Sequence, residues 1–144
     1  MDKIENSNFK RLVGIWKTSG NIKSGHENLE LNGIDSYELI LDGNYILHKA
    51  KVKMGNDLSE TFEIFKLENP MDKAKTQYFD SKGEDRIMTS SLVKNEFNIE
   101  GKNLKFTGNI NDQSTLIKGN WYAQTQDGNW NDFIELKLEK QKSK

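Results

Sequence analysis

The sequence predicts an all-β protein, an antiparallel up-and-down closed barrel of about ten strands with a short helical turn at its N-terminal end. Two observations predict this fold. The 11 glycines, against a single proline, recur at short intervals and many lie beside Asn or Asp, as in hairpin turns. Between these glycines, short runs alternate apolar and polar residues with a period of two, which is typical of half-buried strands.

The predicted elements follow one another with no long helical segment between them. Phe9 and Leu12 lie three residues apart in 5–12, so they share one face of a helical turn that would close one end of the barrel. A sheet of this many strands would expose two edges, so closure is favoured over the alternative, a two-sheet sandwich. Pro70 marks a turn after the fourth strand. The strands are predicted at 14–22, 34–41, 46–54, 60–68, 74–80, 84–92, 95–100, 103–110, 114–124 and 129–139.

Composition limits the class of protein. A chain of 144 residues fits one domain, 1–144. A net charge of -1 with mixed signs does not favour nucleic acid or a membrane surface as a partner. The absence of cysteine excludes disulfides and thiolate chemistry. The polar start and the lack of an apolar run of roughly 20 residues predict a cytoplasmic protein that does not cross a membrane.

Strand alternation also predicts what faces the interior. In "ILHKAKVKM", at 46–54, the lysines share one parity and face solvent, whereas His48 shares the apolar parity. A mainly apolar interior with a few polar side chains is typical of a small-molecule site. Thr18 and Trp130 are assigned to this interior as well. The residues expected to bind a ligand there are Trp16, Tyr37, His48, Arg86, Phe106, Trp121 and Asp132.

His48 allows three interpretations: a hydrogen-bonded interior residue, a ligand contact, or a group that binds a metal or haem or acts in acid–base chemistry. A buried carboxylate requires a partner, so Asp132 is expected to pair with His48 or Arg86. His48 and Asp132 are the candidate catalytic residues, although no nucleophile motif accompanies them. His26 and His48 do not form a metal-ligand motif, so no metal site is predicted.

Several motifs resemble those of known families. "LVGIW" resembles the G-x-W motif of the calycins, the superfamily of the lipocalins. The ordered set "LDGNYILHK" (41–49), "YFDSKG" (78–83), "FTG" (106–108), "IKGNW" (117–121) and "DGNWNDF" (127–133) resembles the DUF1579 family of uncharacterised bacterial proteins. This resemblance covers nearly the whole chain. It implies a lipocalin-like barrel and a bacterial source, and it brings no assigned activity.

The resemblance also carries expectations about cofactors. Nitrobindin-like relatives bind haem through a histidine near the chain end, and this sequence has no histidine after His48. Haem is therefore disfavoured and no cofactor is predicted. Lipocalins place an arginine from the C-terminal strand on the G-x-W tryptophan. That arginine is not matched here, so Lys137 or Lys140 is expected to cover Trp16 instead.

Three functional hypotheses remain open at this point, and binding of a small hydrophobic or amphipathic ligand in the barrel ranks first. The second is an enzyme that uses His48 with Asp132 or Arg86. The third is a non-catalytic interaction module, for example a homodimer that pairs through an outward face carrying Phe65 and Leu67. The sequence leaves monomer and homodimer open.

Overall fold

The chain forms a closed antiparallel barrel of ten strands, as predicted. The computed structural model describes residues 3–24, 27–68 and 72–142. Each strand pairs with its neighbours in sequence, and the first strand pairs with the tenth. Two 3₁₀ helices, Ile4–Asn6 and Asn8–Leu12, precede the barrel. The strands are β1 (Gly14–Ser24), β2 (Glu27–Ile40), β3 (Tyr45–Met54), β4 (Asp57–Leu67), β5 (Lys73–Asp80), β6 (Asp85–Val93), β7 (Glu96–Gly101), β8 (Leu104–Ile110), β9 (Leu116–Gln124) and β10 (Trp130–Lys140).

The largest difference from the predicted strands is at the start of β2. The strand begins at Glu27, because the Asn32–Gly33 pair that was interpreted as a turn lies inside it. Gly33 pairs with Thr18 on one side and Val52 on the other. A Cβ atom at Gly33 would lie 2.3 Å from the carbonyl oxygen of Lys51, so glycine is needed here because the strands approach each other closely. The predicted turn at Pro70, like His26, lies outside the described residues.

The two 3₁₀ helices close one end of the barrel. Ile4, Phe9 and Leu12 are fully buried and join the hydrophobic core, which also contains Trp16 and Phe65. The Arg11 guanidinium donates hydrogen bonds to the carbonyl oxygens of Lys94 and Asn111, in the turns after β6 and β8. These bonds fix the helices over the turns, and the predicted closing role of this segment is confirmed.

Strand β4 faces the opposite way from the prediction. Phe65 is fully buried opposite Ile46, and Leu67 packs against the core. Phe62 is 44% exposed and packs on the outer surface against Phe79, with 5.3 Å between ring centroids. The predicted homodimer face of Phe65 and Leu67 is therefore wrong. Apolar residues occur on both parities of this strand, so alternation was a weak guide to its orientation.

Within the described ranges, the structure contains no helix of the length and hydropathy that a membrane crossing requires.

Candidate functional site

A hydrogen-bonded polar cluster lies inside the barrel, built on four adjacent strands. His48 of β3 is at its centre. Its Nε2 lies 2.6 Å from Oδ2 of Asp35 on β2, and its Nδ1 lies 2.8 Å from Oε1 of Glu63 on β4. The Thr18 hydroxyl of β1 donates to the other oxygen of Asp35. All four residues are buried, so the cluster is an interior feature.

Strand register explains why these residues meet. The turn at 55–56 pairs Met54 with Asp57, and counting back along both strands pairs His48 with Glu63. The turn between β2 and β3 pairs His48 with Tyr37 in the same way. Because residues that oppose each other on neighbouring strands point to the same face, all three side chains enter the barrel.

Tyr37 fixes the orientation of the imidazole. Its ring stacks on His48 with 4.0 Å between centroids and an angle of 6° between planes. Phe65 contacts both rings edge-on, at 6.1 Å from Tyr37 and 6.4 Å from His48. Since Phe65 belongs to the core that the 3₁₀ helices seal, the polar cluster rests directly on the closed end of the barrel.

Electrostatics keep His48 protonated. Burial alone lowers the pKa of His48, but the hydrogen bonds to Asp35 and Glu63 and the attraction of their charges outweigh burial and raise it to about 9. An imidazolium donates from both ring nitrogens, which matches the two carboxylate contacts. One imidazolium and two carboxylates leave the cluster with a formal charge of −1. Burial raises the pKa of Tyr37 well above its usual range, so its phenol stays neutral.

A cavity of about 80 Å³ lies between this cluster and an apolar wall. The polar side consists of Asp35, Tyr37, His48 and Glu63. Aromatic contacts continue along the opposite wall, where Phe106 lies 5.8 Å from Phe97 and 5.3 Å from Trp121 between ring centroids. The wall consists of Phe97, Ile99, Phe106, Ile117, Trp121, Leu136 and Leu138.

The structure brings together four of the seven residues that the sequence assigned to the site. Tyr37, His48, Phe106 and Trp121 line the cavity. Trp16 is fully buried beside it, in the core. The Trp16 indole N–H donates to the carbonyl oxygen of Leu12, and the Lys140 ammonium lies 4.9 Å above its ring. Lys140 is therefore the lysine that covers the G-x-W tryptophan, and Trp16 has a packing role.

Asp132 lies on the outer surface, and the expected pairing with His48 is wrong. Its carboxylate accepts hydrogen bonds from Lys23 and Asn120, and these donors lower its pKa. A β-bulge between Asp132 and Ile134 explains the error. The extra residue shifts the register, so that Asp132 and Ile134 face opposite sides although they share sequence parity.

Two further residues expected in the interior also lie elsewhere. Arg86 is exposed near the start of β6, with its guanidinium carbon 4.4 Å from the centre of the Tyr78 ring, and makes no contact with His48. Trp130 is 40% exposed, with the Lys105 ammonium 4.3 Å above its ring. The expected pairing of Arg86 with His48 or Asp132 is therefore wrong. Neither residue lines the cavity.

The cluster is suited to hold charge rather than to transfer protons. A general base requires a free basic nitrogen, and both ring nitrogens of His48 are bound to carboxylates. The enzyme hypothesis through His48 and Asp132 loses its geometric basis. No group of His, Cys, Asp and Glu with metal-binding geometry occurs in the three described ranges. Both ring nitrogens of His48 are bonded to carboxylates, and the adjoining cavity measures about 80 Å³.

Comparison with solved structures finds similar barrels. A crystal structure of Rv2717c from M. tuberculosis matches with a TM-score of 0.72 and 11% sequence identity, and the match covers 99% of each chain. The S-type phycobiliprotein lyase CPES from Guillardia theta matches with a TM-score of 0.57 and 12% identity, covering 94% of this chain and 92% of that one. No family model and no curated protein matches the sequence. At such low identity these similarities establish a lipocalin-like barrel fold and nothing about activity.

Proposed function

We propose that the protein is a lipocalin-like binding protein that holds a small hydrophobic or amphipathic ligand inside its barrel. The observation that carries the proposal is the divided lining of the cavity, with a fixed polar cluster on one side and an aromatic and aliphatic wall on the other. An apolar wall supplies affinity and a few oriented polar groups supply selectivity, which is the usual composition of a small-molecule site.

The size of the cavity limits the ligand. A volume of about 80 Å³ holds a molecule, or the end of a molecule, of only a few heavy atoms, since a cavity of about 150 Å³ accommodates benzene. Trp121 and Leu136 are the lining residues with only partial burial, so their displacement would enlarge the site with the least loss of packing. Larger ligands are therefore expected to contact Trp121 as they enter.

The direct test is a ligand screen on the intact protein. Native mass spectrometry of protein purified from its own host should show a retained small molecule, and short amines, alcohols, acids and aromatics should be screened by thermal shift. A ligand well above its dissociation constant stabilises the folded state by several kcal/mol, for example by about 2.7 kcal/mol at a hundredfold excess. Because Trp121 lines the cavity, the intrinsic tryptophan fluorescence should change in parallel. The proposal would be refuted if no class of ligand changed the melting temperature and native mass spectrometry showed no bound small molecule.

A matched pair of variants locates the binding. Leu136→Phe places a larger side chain in the cavity, so we expect the thermal shift to disappear while the barrel stays folded. Val93→Phe makes a similar change at an exposed position on β6 and should leave the ligand shift intact. Equal ligand shifts in Leu136→Phe and the wild type would place binding outside the barrel.

Membership of DUF1579, a bacterial source and a cytoplasmic location belong to the same proposal. They rest on the motifs and the composition of the sequence.

A further inference from the structure

We propose that the ligand carries a cationic group, an ammonium or amidinium, that binds the carboxylate of Glu63 and lays its apolar part along the wall of Phe106 and Trp121. This inference rests on the proposed binding function and names the class of ligand for that site. Two observations support it. Within the part of the chain that the structure describes, the cluster carries a negative charge that no lysine or arginine balances, and one carboxylate oxygen of Glu63 accepts no hydrogen bond.

The charge of the cluster is not balanced from within. His48 supplies one positive charge to two carboxylates, Asp35 and Glu63. No lysine or arginine among the described residues bonds to either carboxylate. The nearest facing groups from β2 and β5, Tyr37 and Tyr78, are phenols whose pKa values are raised, Tyr78 to about 12. An uncompensated buried charge is costly, so a bound cation would add stability that the cluster does not provide by itself.

The unoccupied acceptor is on Glu63. Asp35 uses both of its oxygens, one for Thr18 and one for His48. Glu63 uses only Oε1, for His48, and no hydrogen bond from the described residues reaches Oε2. Glu63 is 7% exposed and lines the cavity, and its Oε2 keeps some accessible surface, so a molecule in the cavity can reach this oxygen. A group that donates hydrogen bonds and carries positive charge satisfies both requirements of this atom.

The opposite wall favours the same ligand class. Trp121 and Phe106 present aromatic rings 5.3 Å apart between centroids. These rings offer a large apolar contact area to the hydrocarbon part of a ligand whose cationic group is bound at Glu63. The apolar part of the ligand would contact Ile99, Ile117 and Leu138. An anion would instead meet the excess negative charge of the cluster, and an alcohol would satisfy Oε2 without balancing that charge.

The test compares three probes of nearly equal size at pH 7 and fixed ionic strength: n-propylamine, 1-propanol and propionate. Intrinsic tryptophan fluorescence and thermal shift are measured with the wild-type protein, so the comparison does not depend on a variant folding. We expect propylamine to bind at least tenfold more tightly than propanol and propionate not to bind. Equal or tighter binding of propanol or propionate would overturn the inference.

Variants then assign the preference to one oxygen. Glu63→Gln keeps the shape of the side chain and removes its charge, so propylamine binding should fall to the level of propanol while propanol binding remains. Glu60→Gln changes the outward carboxylate of the same strand and should leave the preference unchanged. An undiminished amine preference in folded Glu63→Gln would contradict the assignment to Glu63.

The two proposals fail differently. If a neutral or acidic ligand binds and Leu136→Phe abolishes that binding, the barrel is a binding site but the cationic class is wrong. If no probe and no member of the wider screen binds, the proposed function itself is wrong.

Discussion

Two neighbouring regions of the barrel interior are built from the same strands but differ in chemistry. At the end closed by the 3₁₀ helices, Phe9, Trp16 and Phe65 form a sealed apolar core with no exposed surface. Immediately beyond Phe65, the same strands direct a polar and charged set of side chains inward: Thr18, Asp35, His48 and Glu63.

 

This difference teaches that the interior serves two purposes. Burying an apolar side chain stabilises the fold by about 1.5–3 kcal/mol, whereas burying charges is at best neutral unless they are paired and hydrogen-bonded. The closed end therefore stabilises the fold by apolar burial. The charged cluster depends instead on its hydrogen bonds and ion pairs, and the proposed cationic ligand would balance its remaining charge.

The largest effect is expected from a substitution that disrupts packing at the closed end. Phe9→Ala removes a fully buried ring that packs 6.1 Å from Phe65, so the free energy of unfolding should fall by about 4 kcal/mol. Urea unfolding followed by circular dichroism measures the change. Ile15→Ala, at an exposed position on β1, should change it by less than about 0.5 kcal/mol. A loss below about 1 kcal/mol for Phe9→Ala would show that the helices do not seal the core.

The second prediction concerns the pH dependence of the charged cluster. A histidine titrates near 6.5 when unfolded and His48 titrates at about 9 when folded, so the folded state holds the proton more tightly. The stabilisation is present below pH 6.5 and is lost as pH rises through about 9. It amounts to about 3 kcal/mol.

Urea unfolding at pH 6, 7, 8 and 9 measures this loss, and the imidazole shifts in NMR report the titration of His48 directly. His48→Gln removes the titrating group and should flatten the dependence over this range. A His48 titration near 6.5 in the folded protein would contradict the paired cluster.

The third prediction concerns the hydroxyl group that donates a hydrogen bond within the charged cluster. Thr18→Val leaves one oxygen of Asp35 buried without its hydroxyl partner, and the free energy of unfolding should fall by about 2 kcal/mol. Thr107→Val makes the same change at an exposed position on β8 and should be nearly neutral. Equal losses for the two variants would mean that the Thr18 bond contributes nothing specific.

The smallest expected effect tests the lysine over Trp16. Lys140→Met keeps much of the apolar stem and removes the ammonium, which lies over the indole and donates to the carbonyl oxygen of Arg11, so stability should fall by about 1 kcal/mol. Lys137→Met, at a more exposed position on the same strand, is the control and should have no measurable effect. A loss in Lys137→Met as large as in Lys140→Met would remove the special role of Lys140.

Strand alternation and glycine turns were sufficient to predict the barrel and the inward positions of Tyr37, His48, Phe106 and Trp121. They were not sufficient for Glu63, because Phe62 and Ile64 share the parity opposite to Glu63 and suggested that those two residues face inward. The signal that could have found Glu63 was present in the turn at 55–56, since counting residues back from that turn pairs Glu63 with His48. Asp35 shares the parity of Tyr37 and could have been found in the same way.

Asp132 was a different kind of error. Its position depends on a bulge, and one inserted residue reverses every side chain beyond it. Alternation in the sequence carries no mark of where such an insertion occurs, so the face of Asp132 required the structure.

Pairing of the first strand with the last has a consequence for how the chain folds. Every other pair of strands is consecutive and forms from nearby residues, whereas Trp16 must find Lys140 across almost the whole chain. Contacts of such long sequence separation are slow to form. During synthesis the edges of β1 and of the growing sheet therefore stay unpaired until β10 has left the ribosome, and chaperones that shield strand edges would act in that interval.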